Sequence, residues 1–360
     1  MKILIICNKL NGGGAERVGV MLANGFVERG HSAFLVSDTY QPTTYYIDER
    51  VRILPLNPKT KNKLHKWGGA VKYIRKYVRT EKPDVVIGIM ALCSFVAKIG
   101  CIGTHIPVIM TEHDAYQRVP SEKLTKMQYF SKYYLNKIYP CVTVLTEADK
   151  NYIGNRLNNI VVMPNPSSFE QVEQVPQKQN VLFAAGRVSN WHYKGFDLLI
   201  EAWGKIAEKY PDWKLQIAGD GSKEDFSFLK KVAKDNHVIE KIDFLGYRTD
   251  MIDLYRKSAI YVLGSRSEGL PMVLIEAMSQ GCACVAIENF GRTKEIITNN
   301  KEGLLCKMED TESLAEGMSK MISEETYRKE VQKNSIERSK FFALDNIIDK
   351  WETLFKQLGI

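Results

Sequence analysis

Short apolar runs alternate with amphipathic stretches along most of the chain. Lys2-Ile3-Leu4-Ile5-Ile6-Cys7 is a continuous apolar run, the pattern of a parallel strand buried on both faces. A helical pattern through Val20, Leu22, Phe26 and Val27 follows and closes at Gly30-His31. The next strand is predicted at 33–36, and others at 85–89, 107–110, 142–145 and 160–163. Pro164-Asn165-Pro166-Ser167-Ser168 breaks the pattern, and the Gln/Glu/Pro-rich stretch to Gln179 reads as a linker. A second series then begins, with strands at 181–185, 213–218, 242–246 and 260–263 and helices at 197–210 and 223–235. A last helix over 344–358 carries Leu344, Ile347, Ile348, Trp351, Leu354 and Phe355 on one stripe. Strand and helix alternate in both halves, which predicts an α/β fold with parallel sheets.

At 360 residues, two domains are expected. No apolar run approaches the ~20 residues of a membrane span, and the N-terminus does not read as a signal peptide. Seven cysteines without zinc-type spacing read as reduced, buried thiols of a cytosolic protein. Charge sharpens the division into halves. Residues 1–164 hold 23 Lys+Arg against 12 Asp+Glu, a net +11, and residues 165–360 hold 27 against 30, a net −3. A basic first half suits an anionic surface, nucleic acid or membrane. Two stretches there are amphipathic and basic: 64–80, with Leu64, Trp67, Val71, Ile74 and Val78 at helical spacing, and 121–140, where lysines interleave with tyrosines. The first reads foremost as a surface helix packing its apolar stripe on the sheet with a solvated basic face; the second fits a membrane interface, single-stranded nucleic acid or a helix packed on its own domain.

Candidate chemistry gathers at strand ends. Asn11-Gly12-Gly13-Gly14-Ala15-Glu16-Arg17 lies between the first strand and helix, but it is neither a dinucleotide fingerprint nor a Walker loop, since Arg17 stands where a third glycine is needed and no Gly-Lys-Ser/Thr follows. The three glycines suit a close-approaching ligand better than a turn alone. Thr111-Glu112-His113-Asp114 sits past a parallel strand's carboxyl end, where open α/β sheets bind ligands. At 260–286 a strand, a small-residue loop with Glu268 and Gly269, a helix opening near Pro271, and Glu276 within that helix form a polar clamp. Two readings stay open from spacing: carboxylates facing ligand hydroxyls, or a first-turn helix acid followed by an exposed helix glutamate.

In this order, Gly13-Gly14-Ala15-Glu16-Arg17, Glu112-His113, Pro164-Asn165-Pro166, Gly186-Arg187 with Lys194-Gly195, Gly219-Asp220-Gly221, Phe244-Leu245-Gly246 and the Glu268–Glu276 pair resemble the retaining glycosyltransferases of family 4 over essentially the whole length. The resemblance implies the GT-B fold, two Rossmann-like domains facing across a cleft. It implies an acceptor-side domain of 1–164 plus approximately 342–360, through a returning C-terminal helix, and a donor domain of 165–341. It implies a nucleotide-diphospho sugar donor, UDP by default, with Arg187 and Lys194 on the diphosphate, Glu276 on the ribose and Glu268 near the sugar hydroxyls. Gly186, Gly219, Asp220 and the segment Gly269, Leu270, Pro271, Met272 and Val273 would line the donor site, and Tyr247 and Arg248 would meet the base. His113 would lie near the donor sugar, and Gly13 and Gly14 near the phosphate and the acceptor. The interval from Arg187 to Lys194 is one residue longer than the family's commonest spacing, which leaves the register of Lys194 and the roles of Trp191 and His192 open.

The implied reaction is metal-independent and needs no cofactor. It is a retaining hexosyl or N-acetylhexosaminyl transfer to a saccharide acceptor, polyprenyl-diphosphate-linked in the capsule, O-antigen and lipid-linked oligosaccharide enzymes that the chain resembles most. The enzyme would then be peripheral on the anionic inner face of the cytoplasmic membrane. The competing readings are an epimerase or phosphorylase on the same fold and a nucleic-acid-binding protein, which the lack of any such motif disfavours.

Overall fold

The computed structural model describes residues 1–40, 42–56, 63–119 and 123–360, with 63–65 as backbone alone. It divides into two compact units: Met1–Tyr116, Pro120–Pro166 and Leu344–Ile360 form the first, and Gln117–Val119 with Ser167–Ala343 form the second.

In the first unit the strands are β1 (Lys2–Ile6), β2 (Ser32–Ser37), β3 (Arg52–Pro55), β4 (Val85–Ile89), β5 (Val108–Thr111), β6 (Cys141–Val144) and β7 (Ile160–Val162). Their order is β3-β2-β1-β4-β5-β6-β7, parallel throughout. The β1 run is apolar at every position after Lys2 because both sheet faces are covered. Ile3, Ile5 and Cys7 enter one core with Val18, Leu22 and Phe26, while Leu4 and Ile6 enter another with Ile74, Val78 and Val96.

The C-terminal helix Leu344–Gln357 belongs to the first unit and packs its predicted stripe on the helix Gly14–Glu28. Phe26 meets Trp351 edge-on at 6.5 Å and Phe355 at 5.7 Å. Gly25 permits the approach, since a Cβ there would lie 2.7 Å from Cγ1 of Ile348. The ion pair Arg29–Asp349 (2.8 Å) and the hydrogen-bonded contact of His31 Nε2 with Glu352 Oε1 (2.9 Å) flank this apolar seam.

The second unit holds β8 (Gln179–Ala185), β9 (Lys214–Ala218), β10 (Ile242–Gly246), β11 (Ser258–Leu263), β12 (Ala283–Ile287) and β13 (Leu304–Cys306), all parallel, in the order β10-β9-β8-β11-β12-β13. Each unit is thus a doubly wound sheet in which the chain reverses direction beside its first strand.

Several departures from the sequence pattern have plain causes. The helix Met90–Gly100 follows β4 without a break, so its apolar residues merge with the strand's and no boundary shows. The edge strand β3 alternates too briefly to stand out. The 121–140 stretch is a short helix, Lys126–Tyr133, and a 3₁₀ turn, Leu135–Ile138; residues 121 and 122 lie outside those described. The basic helix spans Lys63–Glu81, and the Leu64 side chain, the first of its predicted stripe, likewise lies outside them.

The predicted linker is docked rather than loose. Val172 N donates to Ser279 O (3.0 Å), and Gln280 Nε2 donates to Glu170 O (2.7 Å). All seven cysteines are free and buried. Among the described residues no helix is long and apolar enough to cross a membrane.

Candidate active site

In the second unit the chain turns back between β8 and β11, and the loops at the carboxyl ends of these two strands flank the crevice where such sheets bind ligands. After β8 come Gly186 and Arg187; after β11 comes the loop from Gly264 to Pro271. Gly219 and Asp220 follow β9, and Tyr247 and Arg248 follow β10, on the same edge.

Glycine pairs bring these loops together. Gly195 is left-handed (φ 61°), and a Cβ on it would lie 1.9 Å from Gly264 O. Gly219 likewise packs against the carbonyl of Gly186, where a Cβ would come within 1.7 Å. The first pair draws the residue before Gly195 toward the loop after β11. Lys194 Nζ donates to Glu268 Oε1 at 2.7 Å, and Ser265 Oγ donates to the same oxygen at 2.7 Å. The Lys194 stem passes over Gly186, which has no side chain to block it.

The longer interval between Arg187 and Lys194 is absorbed by the turn Val188–Asn190 and one helical turn, Trp191–Lys194. Trp191 stacks on Phe228 with centroids 4.2 Å apart. The carbonyl of His192 accepts from Arg266 Nη1 (2.6 Å), and that of Tyr193 from the Arg266 amide (2.8 Å). Arg266 is buried and makes a forked pair with Asp197, 2.8 Å in both arms. Arg266 and Asp197 therefore lock the two loops in register. Sequence reasoning missed both, because neither belongs to a motif by itself.

The structure corrects both bland alternatives for the acidic pair. The helix Met272–Ser279 has no acidic residue in its first turn, and Glu268 lies four residues before it, engaged by Lys194. Pro271 is the residue just before the helix. Glu276 is buried, only 5 % exposed, and its Oε2 accepts from Tyr255 Oη at 3.1 Å. Burial first, and then the Glu276 charge, hold the Tyr255 hydroxyl well above its usual pKa, so it remains a proton donor to the carboxylate. Phe183 and Tyr261 pack around Tyr255. Tyr255 is a third residue that no sequence spacing marked.

Leu270 and Pro271 are buried, Gly269, Met272 and Val273 are half-buried, and Arg187 and Asp220 are exposed. Asp220 O accepts from Ser189 N at 3.1 Å. Tyr247 is among the most exposed aromatics, at 70 %, and Arg248 pairs with Asp250.

In the first unit the corresponding reversal lies between β1 and β4. Tyr45 Oη bridges the Gly13 backbone, accepting from its N–H (3.0 Å) and donating to its carbonyl (2.9 Å). The Glu16 carboxylate fills the space where a Gly13 side chain would be, whereas nothing lies within 4 Å of a Cβ on Gly14. The Gly13 amide is thus occupied within the protein, and Gly14 is the open face of the loop. Met90, just past β4, has φ 69°, an unusual conformation for a long side chain.

His113 follows β5. Its Nε2 lies 3.0 Å from Thr111 Oγ1, and its Nδ1 is buried with no hydrogen-bond partner among the described residues. Burial pushes the imidazole pKa down to about 4, against the opposing pull of Asp114 and Asn165. His113 is therefore neutral at neutral pH. Of its acidic neighbours, Glu112 is committed elsewhere, its Oε2 2.6 Å from Lys132 Nζ. Among the described residues no group of three His, Cys, Asp or Glu could hold a metal ion.

Residues 12–170 match the model of Glycosyltransferase Family 4, and residues 167–338 match that of Glycosyl transferases group 1. The chain belongs to the family 4 glycosyltransferases. This glycosyltransferase is 27 % identical, over 99 % of both chains, to a Campylobacter jejuni α-1,4-N-acetyl-D-galactosaminyltransferase whose name gives its acceptor as an undecaprenol-diphosphate-linked glycan. Its fold is that of a Thermosynechococcus elongatus sucrose-phosphate synthase, with TM-score 0.83 at 17 % identity over 99 % of this chain and 98 % of the other. Anabaena HepE, solved with UDP-glucose, matches with TM-score 0.78 at 19 % identity over 99 % and 100 %. These likenesses show the GT-B fold.

Proposed function

We propose that this glycosyltransferase moves a hexosyl or N-acetylhexosaminyl group from a UDP-sugar to a lipid-linked saccharide, with retention of configuration and without a metal ion, in bacterial surface glycan assembly. The observation that carries the reading is the meeting of Lys194 and Glu268 at the carboxyl edge of β8 and β11, one cation and one acid fixed at 2.7 Å. The lipid-linked acceptor is suggested by the printed name of the Campylobacter relative, and UDP by the ligand of HepE. We place the protein on the inner face of the cytoplasmic membrane for the same reason.

In the reaction proposed, the bond between the anomeric carbon and the departing phosphate oxygen breaks, and the acceptor hydroxyl oxygen bonds to the same face. Its proton goes to the departing oxygen. Arg187 and Lys194 take up charge on the leaving UDP, the role fixed cations perform best in a site that need not reorganise. Glu268 is no nucleophile here, since Lys194 and Ser265 hold its Oε1. Its task is to orient the sugar hydroxyls and Lys194 together. Glu276 accepts from the ribose hydroxyls, oriented by Tyr255. The Gly269–Val273 segment, Gly186, Gly219 and Asp220 line the donor, and Tyr247 and Arg248 meet the base. In the first unit His113 serves as a neutral hydrogen-bonding group toward the donor sugar, and Gly14 as the place where phosphate or acceptor approaches the backbone.

The test is a panel of nucleotide sugars assayed for sugar transfer to membrane extracts, with excess chelator throughout. Transfer from one UDP-sugar is expected. Activity with no nucleotide sugar, or activity abolished by chelator and restored by manganese, contradicts the proposal.

A further inference from the structure

The helix Lys126–Tyr133 and the 3₁₀ turn Leu135–Ile138 present two contrasting faces. Met127, Phe130, Tyr134 and Ile138, three or four residues apart, point outward and are 78, 52, 55 and 40 % exposed. Phe130 and Tyr134 stack on one another, with centroids 5.6 Å apart. Lys123, Lys126 and Lys137 are exposed around them, and Lys137 Nζ lies 5.7 Å from the Tyr134 ring centre. A row of large apolar and aromatic side chains left in water, with no acid at any described exposed position of 123–140, needs an occupant.

The opposite face is anchored. Lys132 is buried, with its Nζ 2.6 Å from Glu112 Oε2, 3.2 Å from the carbonyl of Asp114 and over the Tyr116 ring at 4.3 Å. Asn136 Nδ2 donates to Tyr116 Oη at 3.0 Å. Thr125 and Gln128 close the helix start with reciprocal hydrogen bonds. The segment is therefore held rigidly by the residues on either side of His113.

We infer that residues 123–138 form a docking surface for an anionic lipid bilayer, and that docking braces the His113 loop through Lys132. Aromatic rings with a polar edge settle at headgroup depth, and flanking lysines meet lipid phosphates. Basic charge with apolar side chains fits a bilayer better than a protein groove, which would bring its own acids to one side only. The inference rests on the proposed lipid-linked acceptor in one respect, that the acceptor lies in a membrane.

The experiment is co-sedimentation of the full chain with vesicles of phosphatidylcholine containing 30 % phosphatidylglycerol, with UDP binding measured calorimetrically on the same samples. Wild-type protein should bind these vesicles, and binding should fall steeply with salt. M127S/F130S/Y134S should lose at least tenfold in vesicle affinity, with UDP affinity and melting temperature unchanged. K123Q/K126Q/K137Q, which leaves the apolar row in place, should lose the salt dependence. L92S/I102S, at other exposed apolar positions, should bind as wild type does. Hydrogen exchange at 111–116 should slow on vesicle binding together with that at 126–138.

Undiminished vesicle binding by the triple serine variant, or a loss only in L92S/I102S, overturns the docking surface. So does a triple serine variant whose change is the loss of self-association. Unchanged exchange at 111–116 in docked protein overturns the brace. A chain that binds UDP but ignores vesicles removes the docking surface and leaves the transferase reading standing; one that docks but does not bind UDP does the reverse.

Discussion

Lys194 Nζ sits 2.7 Å from Glu268 Oε1, so the cation assigned to the diphosphate and the acid assigned to the sugar form one unit. Neither residue can be altered without affecting the other. Lys194→Met should lower kcat by about a hundredfold, the usual cost of removing one preorganised transition-state donor. Glu268→Gln should also lower kcat, because it releases Lys194 from its position. The double variant should be far less than additively impaired. A double-mutant cycle of kcat giving simple additivity would separate the two residues' roles.

Arg266 and Asp197 concern stability and register rather than contact with the donor. Removing the guanidinium leaves Asp197 and the His192 carbonyl without their donor. Arg266→Met should cost about 3 kcal/mol in urea unfolding, the range for breaking a largely buried pair. Arg266→Lys should recover little, because an ammonium cannot reproduce the fork. Where Arg266→Met remains folded, the donor KM should rise, since the loop that carries Lys194 is unpinned.

His113 makes stability depend on pH. Its folded pKa is pushed down to about 4, below the ~6.5 of an unfolded histidine. Between these values the unfolded chain binds more protons, so stability is full above about pH 6.5 and declines as pH falls toward 4. The loss attributable to this group is on the order of 3 kcal/mol. His113→Gln should flatten the acid limb of the stability profile. An imidazole titrating near 6.5 by NMR in the folded protein would contradict the assignment.

The fold was legible because parallel strands covered on both faces are apolar at nearly every position, and β1, β4, β8 and β11 all have that character. The helix Met90–Gly100 was hidden for the same reason: a buried helix abutting a buried strand leaves no polar punctuation. Within the candidate site, Glu268 and Glu276 stood out by the loop-and-helix pattern around Pro271, and Lys194 only through the family resemblance. Arg266, Asp197 and Tyr255 could not be picked out, because their meaning lies in pairings between a loop and short helices 69 and 74 residues apart, or between helices 21 residues apart. The single extra residue after Arg187 was visible, but its absorption by a one-turn helix pinned by Trp191 and Arg266 depends on packing that no linear pattern records.

The central claim is that the second unit holds a uridine nucleotide through Glu276, oriented by Tyr255. Calorimetric titration of UDP tests it most directly. Wild-type protein should bind UDP, Glu276→Gln should bind at least tenfold more weakly, and Tyr255→Phe should fall between them, with all three equally folded. Absence of UDP binding by the wild type, or equal affinity of Glu276→Gln and wild type, would contradict the account.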